Sequence, residues 1–292
     1  MPERKFGICE LSTFPASFEA DLVAYAAARA DCISIFEGKL VEGREAEQLE
    51  AFRDSGLVAS AAVTAVPSVL PLPKFPGPDD PEQRVEAIVG GMRRLAPFEP
   101  TAFVCPTGPA GDRSDSEARA VLAEGLRAVA DESARLGIPV GLEPMSTYEQ
   151  EDWTLVTTLG EAAALVDESG ADVGLVFDTW HLWDTPDLAD EIVRHGHRFV
   201  AVQFNDWRSS TRSWCDRVLP GDGVIDVAAV LDAVEATGWA GSYDLEVFSD
   251  DGTFGNAFED SLWRLPPEEL ARRGRARFTE LTSSSSTEGR AA

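Results

Sequence analysis

The chain has no apolar run near the roughly 20 residues that a bilayer crossing requires. Its opening Met-Pro-Glu-Arg-Lys leads into a strand-like stretch without the apolar core of a signal peptide. No membrane partner is expected, and the expected location is the cytoplasm. Cysteine is sparse and scattered: Cys9, Cys32, Cys105 and Cys215 form no Cys-x-x-Cys pair. Free thiols are therefore expected in place of a disulfide framework or a zinc–thiolate cluster. Basic residues are outnumbered, with 25 Lys and Arg against 51 Asp and Glu, a formal net charge of −26. Such a field repels a phosphate backbone, which argues against nucleic acid and leaves a neutral sugar or a metal ion unopposed. No glycine-rich phosphate cradle opens a helix, so neutral substrates are favoured over phosphorylated ones. Histidine occurs only at His181, His195 and His197, and the last two flank Gly196 at an expected helix C-terminus, where positive charge is favoured.

What is present is a regular alternation. Strand-like runs are read at 5–11, 32–36, 58–66, 102–106, up to Glu143, up to Asp178, at 199–204 and up to Glu246. Helical periodicity fills the gaps at 17–29, 45–53, 82–95, 115–136, 158–169, 187–195 and 227–237. Eight such runs alternating with helices give an α/β fold, a (β/α)8 TIM barrel in a single domain over 1–282. A charged helix at 266–281 is its C-terminal extension, and the serine-rich 283–292 is expected to be a disordered tail. The proline-rich stretch 67–81 is too long for a simple connection and reads as a lid or a mobile surface segment.

Three of the apolar runs stop at a carboxylate: Glu143, Asp178 and Glu246. In a closed parallel sheet those ends converge on the face where such folds keep their chemistry, and converging carboxylates call for a cation. One carboxylate at a strand end is more often a helix cap, but three in the same position favour a site. At the equivalent depth of the seventh strand stands Gln203, a neutral oxygen donor. Oxygen-only coordination favours Mn2+ or Mg2+ over Zn2+. His181 could bond a substrate hydroxyl, orient a ligand or bind the metal itself. Arg217 could fork onto a substrate oxygen or pair with Asp216 or Asp222 in its own loop. Trp180, Trp183, Trp207, Trp214 and Phe248 lie just past strand ends and suggest an apolar wall for a sugar face or an aglycone.

The combination Gly-Leu-Glu143-Pro, Phe-Asp178-Thr-Trp-His181, Val-Gln203-Phe-Asn-Asp206, Asp216-Arg217-x3-Gly-Asp-Gly and Leu-Glu246-Val-Phe resembles the xylose isomerase-like TIM-barrel superfamily of sugar phosphate isomerases and epimerases. The resemblance spans about 5–278 and implies one divalent metal held by Glu143, Asp178, Gln203 and Glu246, most often Mn2+, with Mg2+, Co2+ or Zn2+ as alternatives. It implies Glu143 and Glu246 as the catalytic acid–base pair, moving a proton next to a carbonyl through a metal-stabilised enediolate. His181, Arg217, Trp180 and Asp206 are the expected substrate contacts. Many members have histidine where this chain has Gln203, which bears on the metal's identity. The implied activity is isomerisation or epimerisation of a ketose or keto-polyol. The alternatives are a lyase of the same superfamily, a keto-inositol dehydratase or a deglycosidase of 3-oxo-glycosides, and a non-catalytic sugar-binding subunit. A homo- or hetero-oligomer is compatible with the fold.

Overall fold

The computed structural model describes residues 4–288. Eight parallel strands close into a barrel: β1 (Lys5–Cys9), β2 (Cys32–Phe36), β3 (Val58–Val63), β4 (Ala102–Pro106), β5 (Val140–Glu143), β6 (Gly174–Asp178), β7 (Phe199–Phe204) and, after the two-residue strands β8 (Asp206–Trp207) and β9 (Arg217–Val218), β10 (Ser242–Leu245). The order around the barrel is β1-β10-β7-β6-β5-β4-β3-β2, and β8 pairs antiparallel with β9 in the loop above β7.

Each long connection is a helix whose ends carry local signals. Ser17 caps α1 (Phe18–Ala27), and α2 (Glu45–Ser55) follows β2. Asp80 caps α3 (Pro81–Leu95), and Ser114 with Glu117 forms a reciprocal capping box on α4 (Asp115–Leu136). Gly137 ends α4 with φ 70, a left-handed conformation that suits glycine. A one-turn α5 (Gln150–Trp153) precedes α6 (Leu159–Ser169), which Thr158 caps, and α7 (Thr179–Leu182) hangs directly on β6. The ring is completed by α8 (Leu188–His195), α9 (Val227–Ala236) and α10 (Pro267–Glu288). Beyond α8 the chain continues into a 3-10 turn at Gly196–Arg198, where the sequence suggests a glycine stop. The last helix extends into the segment 283–288, which the sequence reading gives to a tail. Residues 289–292 of that segment lie outside the described residues.

Strand alternation sorts the two faces of the barrel. Phe6 and Ile8 of β1, Leu142 of β5, Leu175 and Phe177 of β6, and Tyr243 and Leu245 of β10 belong to the main core shared with the helices. The intervening positions belong to the barrel interior, where Cys9 and Val176 pack in a second cluster at the mouth. On the same face stand Glu143, Asp178 and Glu246. Gly7 makes room there: opposite Asp244 in the ladder, a Cβ on Gly7 would lie 1.8 Å from Asp244 Oδ1.

Candidate active site

Parallel alignment delivers the last residue of β5, the last residue of β6 and the residue after β10 to one end of the barrel. Glu143, Asp178 and Glu246 are 5%, 0% and 4% exposed there. Gln203, one residue before the end of β7, is paired with Asp178 on one side and Asp244 on the other. Three carboxylates, one amide, one guanidinium and one imidazole thus meet within a single buried layer.

Arg217 is the hub. Its Nη1 donates to Asp178 Oδ2 at 2.8 Å and to Glu246 Oε2 at 3.0 Å, and its Nη2 lies 3.1 Å from His181 Nε2. Its guanidinium carbon is 4.9 Å from the centroid of the Trp180 ring and 4.7 Å from that of Phe248, a cation between two π faces. The loop ion pairs it could have made are taken by others: Asp216 binds Arg208 and Arg212, and Asp222 binds Arg277. Burial alone would lower the Arg217 guanidinium, but Asp178 and Glu246 reverse that and hold it above its ordinary value.

The carboxylates are partnered unequally. Asp178 Oδ1 accepts from the Trp180 backbone N–H at 2.7 Å and from Asn205 Nδ2 at 2.9 Å. Burial pushes Asp178 upward, yet Arg217, His181 and these donors keep it below the usual carboxylate range. Glu246 Oε1 accepts from Gln203 Nε2 at 2.7 Å and from Cys9 Sγ at 3.3 Å, and burial raises the Glu246 carboxyl to about 7 against the pull of Arg217. Glu143 accepts no hydrogen bond among the described residues; its nearest ionic neighbour is His181 Nε2 at 3.9 Å. Burial, then Glu246 and Asp178, lift Glu143 well above the usual range. Burial brings the His181 imidazole down to about 3, Asp178 opposing and Arg217 reinforcing, so the ring is neutral at physiological pH. Its Nδ1 faces the Ser146 backbone N–H at 3.1 Å and its Nε2 faces Arg217, and a neutral ring accepts from only one of the two.

The cavity above this floor is lined by Glu143, His181, Arg217, Glu246 and Trp180 among others. Trp214 and Phe248 also line it, as the sequence suggests, whereas Trp183 and Trp207 stack behind Trp180, with Trp207 4.5 Å from it. Asp206, expected at the substrate, is engaged elsewhere and does not line the cavity. It is wholly buried, and its Oδ1 accepts from the Trp207 and Ile225 backbone N–H groups while its Oδ2 accepts from those of Gly221 and Gly223. Its work is to fold the loop that carries Arg217. A carboxylate at a strand end reads alike in either role, so the sequence carries no signal to separate them.

Sequence reasoning also missed contributors. Asn205 Nδ2 bridges Asp178 Oδ1 and the Glu246 carbonyl, and Thr179 Oγ1 holds Asn205 in turn. Cys9 terminates β1 as Glu143 terminates β5, which was the one hint that this thiol faces the site. All four cysteines are free and buried. Trp153 in α5, and Pro67 and Phe75 in the proline-rich loop, complete the cavity.

A family model described as the xylose isomerase-like TIM barrel matches residues 23–281. The chain belongs to this family. Within the curated proteins, 3-dehydroshikimate dehydratase of Pseudomonas aeruginosa is 32% identical over 146 residues, which is 45% of this chain and 21% of that protein. The rhizopine catabolism protein MocC of Rhizobium meliloti is 30% identical over 145 residues, 44% of each chain. The match thus spans less than half the length of these curated relatives. A solved structure from Sinorhizobium meliloti 1021 superposes with a TM-score of 0.80 at 25% identity, covering 94% of this chain and 98% of that one.

In this xylose isomerase-like barrel the donor set fits a divalent cation. Glu143, Asp178 and His181 each offer a ligand atom, all within 4.8 Å of one another. Gln203 Oε1 is buried and has no hydrogen-bond partner among the described residues, although its amide nitrogen donates to Glu246. A buried polar atom left unmade costs about 1–3 kcal/mol, and a hard cation beside the carboxylates would satisfy it. Among the described residues no helix is long and apolar enough to cross a membrane.

Proposed function

We propose that the protein is a divalent-metal-dependent isomerase or epimerase of a sugar or sugar-derived ketone that removes and returns the proton next to the carbonyl. The observation that supports this most is the contrast between two buried glutamates lining one cavity: Glu246 is held by Gln203, Cys9 and Arg217, whereas Glu143 accepts no hydrogen bond among the described residues. Burial raises both carboxyls, that of Glu246 to about 7, where it exchanges protons near neutral pH, and that of Glu143 with Glu246 and Asp178 adding to the rise. Glu143, Asp178, Gln203 and Glu246 would hold the metal, with His181 close enough to join them. When bound, the cation supplies positive charge beside the carbonyl oxygen and so acidifies the adjacent C–H.

The protein's own groups do the rest. Glu143, with no competing hydrogen bond, takes the proton at a carboxylate oxygen. Glu246, fixed by three donors, delivers a proton from a set position, and Arg217 Nη2 and His181 Nε2 orient the substrate oxygens. The closed floor, with Asp178 and Gln203 fully buried, keeps bulk water from the exchanging proton. A second reading, β-elimination, draws on the 32% identity with a dehydratase: the same proton is removed, and a leaving group departs from the neighbouring carbon instead of a proton returning.

The test has two arms. Metal analysis of the purified protein, of Glu246→Gln and of Gln203→Ala is expected to find near-stoichiometric divalent metal in the first and loss in both variants. NMR of candidate ketoses and keto-polyols in D2O is expected to show solvent exchange at the carbon next to the carbonyl, abolished by Glu143→Gln with binding retained. No metal uptake after incubation with Mn2+, Mg2+, Co2+ and Zn2+, or binding without exchange, overturns the proposal and leaves a sugar-binding module. Loss of a leaving group with no returned proton selects elimination.

A further inference from the structure

The cavity is divided along the barrel. Its charged and hydroxyl-bearing side chains, Glu143, Ser146, His181, Arg217 and Glu246, all belong to β5, β9 and the segments just past β5, β6 and β10. The opposite half, from β1 to β4, presents Leu11, Phe36, Val63 and Val104, and no side chain there that lines the cavity carries nitrogen or oxygen. Phe75, from the loop after β3, meets Trp153 and Trp214, from the connections after β5 and β7, with centroids 5.0–6.2 Å apart in tilted and edge-on pairs, and all three pack in one apolar cluster with those wall residues.

This wall is preformed. Arg84, 1% exposed, donates from Nε to the Ser68 carbonyl at 2.8 Å, from Nη2 to Ser68 Oγ at 2.9 Å and from Nη1 to the Pro78 carbonyl at 3.0 Å. These bonds fix both ends of the loop that presents Phe75. A free monosaccharide or cyclic polyol bears a hydroxyl on almost every carbon, and each hydroxyl desolvated against the apolar half would go unpaired at a cost of about 1–3 kcal/mol. An aromatic ring placed there loses no hydrogen bond and gains edge-to-face contacts.

We propose that the substrate is two-ended: a sugar-derived carbonyl unit on the carboxylate floor, linked to a planar aromatic substituent seated between the β1–β4 half and the Phe75–Trp153–Trp214 cage. This rests on the sugar reading of the floor and adds the identity of the remainder of the molecule.

Calorimetric titration of the purified protein with matched phenyl and methyl β-glycosides of glucose, galactose and xylose tests it, because these ligands are not turned over and report binding alone. In at least one pair the phenyl glycoside is expected to bind at least about tenfold tighter, a difference of about 1.4 kcal/mol. Phe75→Ala, on a partly exposed loop residue, is expected to reduce that ratio about fivefold. Val63→Thr keeps side-chain shape and places a hydroxyl in the apolar half, and is expected to narrow the ratio as well. Equal binding within every pair, no detectable binding of any phenyl glycoside, or a ratio unchanged in both variants overturns the proposal. Solvent exchange on free ketoses without an aryl preference sinks this inference and spares the proposed chemistry; an aryl preference without exchange does the reverse.

Discussion

Replacing Asp206 by Asn tests whether one buried carboxylate sets the position of Arg217. The side chain receives four backbone N–H groups, from Trp207, Gly221, Gly223 and Ile225, at 2.8–3.0 Å. Asn preserves the shape but turns one oxygen into a donor, so two of the four N–H groups then face an N–H instead of a lone pair. Hydrogen bonds to a charged acceptor contribute about 1.5–3 kcal/mol each, which places the loss of two at about 3–6 kcal/mol. Gly221 and Asp222 are exposed, so water can reach part of the loop, and the lower end, about 3 kcal/mol, is expected. The assay is urea unfolding, read as a lower midpoint at unchanged slope. Asp222→Asn is the control: among the described residues this exposed neighbour forms an ion pair only with Arg277, and the variant should stay within about 0.5 kcal/mol of the native protein. Because β8 pairs Trp207 with Arg217, the Asp206 variant should also weaken ligand binding through Arg217. Native-like stability with weakened binding would refute this reasoning and restore the substrate contact that the sequence suggests.

Gly7→Ala is expected to cost about 1–3 kcal/mol by overpacking against Asp244 Oδ1, with much of the loss recovered in the double variant Gly7→Ala/Asp244→Ser; additive unfolding energies would refute the contact. Arg217→Leu leaves Asp178 and Glu246 buried without their shared cation, and a loss of about 3–5 kcal/mol in thermal or urea unfolding is expected; a neutral result would show that the guanidinium is not compensating them. Arg84→Met removes three hydrogen bonds to the loop 67–78 and should speed limited proteolysis within that loop while costing about 2–4 kcal/mol; an unchanged cleavage rate would refute its role as a tether.

The sequence by itself determined the alternation of strands and helices, because several helices carry their own capping side chain, as at Ser114 and Thr158, and each buried strand its own apolar run. It also determined that Glu143, Asp178 and Glu246 reach the same end of the barrel, since each directly terminates a run of that kind. What the tertiary structure alone decided was which neighbours these groups meet. Closure sets β1 beside β10 and brings Cys9 to Glu246 across 237 residues. The fold of the loop after β7, invisible to any periodicity, sends Asp206 to four backbone N–H groups and Arg217 to the carboxylates. The same closure divides the cavity into a polar half and an apolar half. Local propensity acts over a few residues, whereas the hydrogen-bond partners and wall chemistry of a site at a barrel mouth depend on strand register and loop packing between segments far apart in the chain.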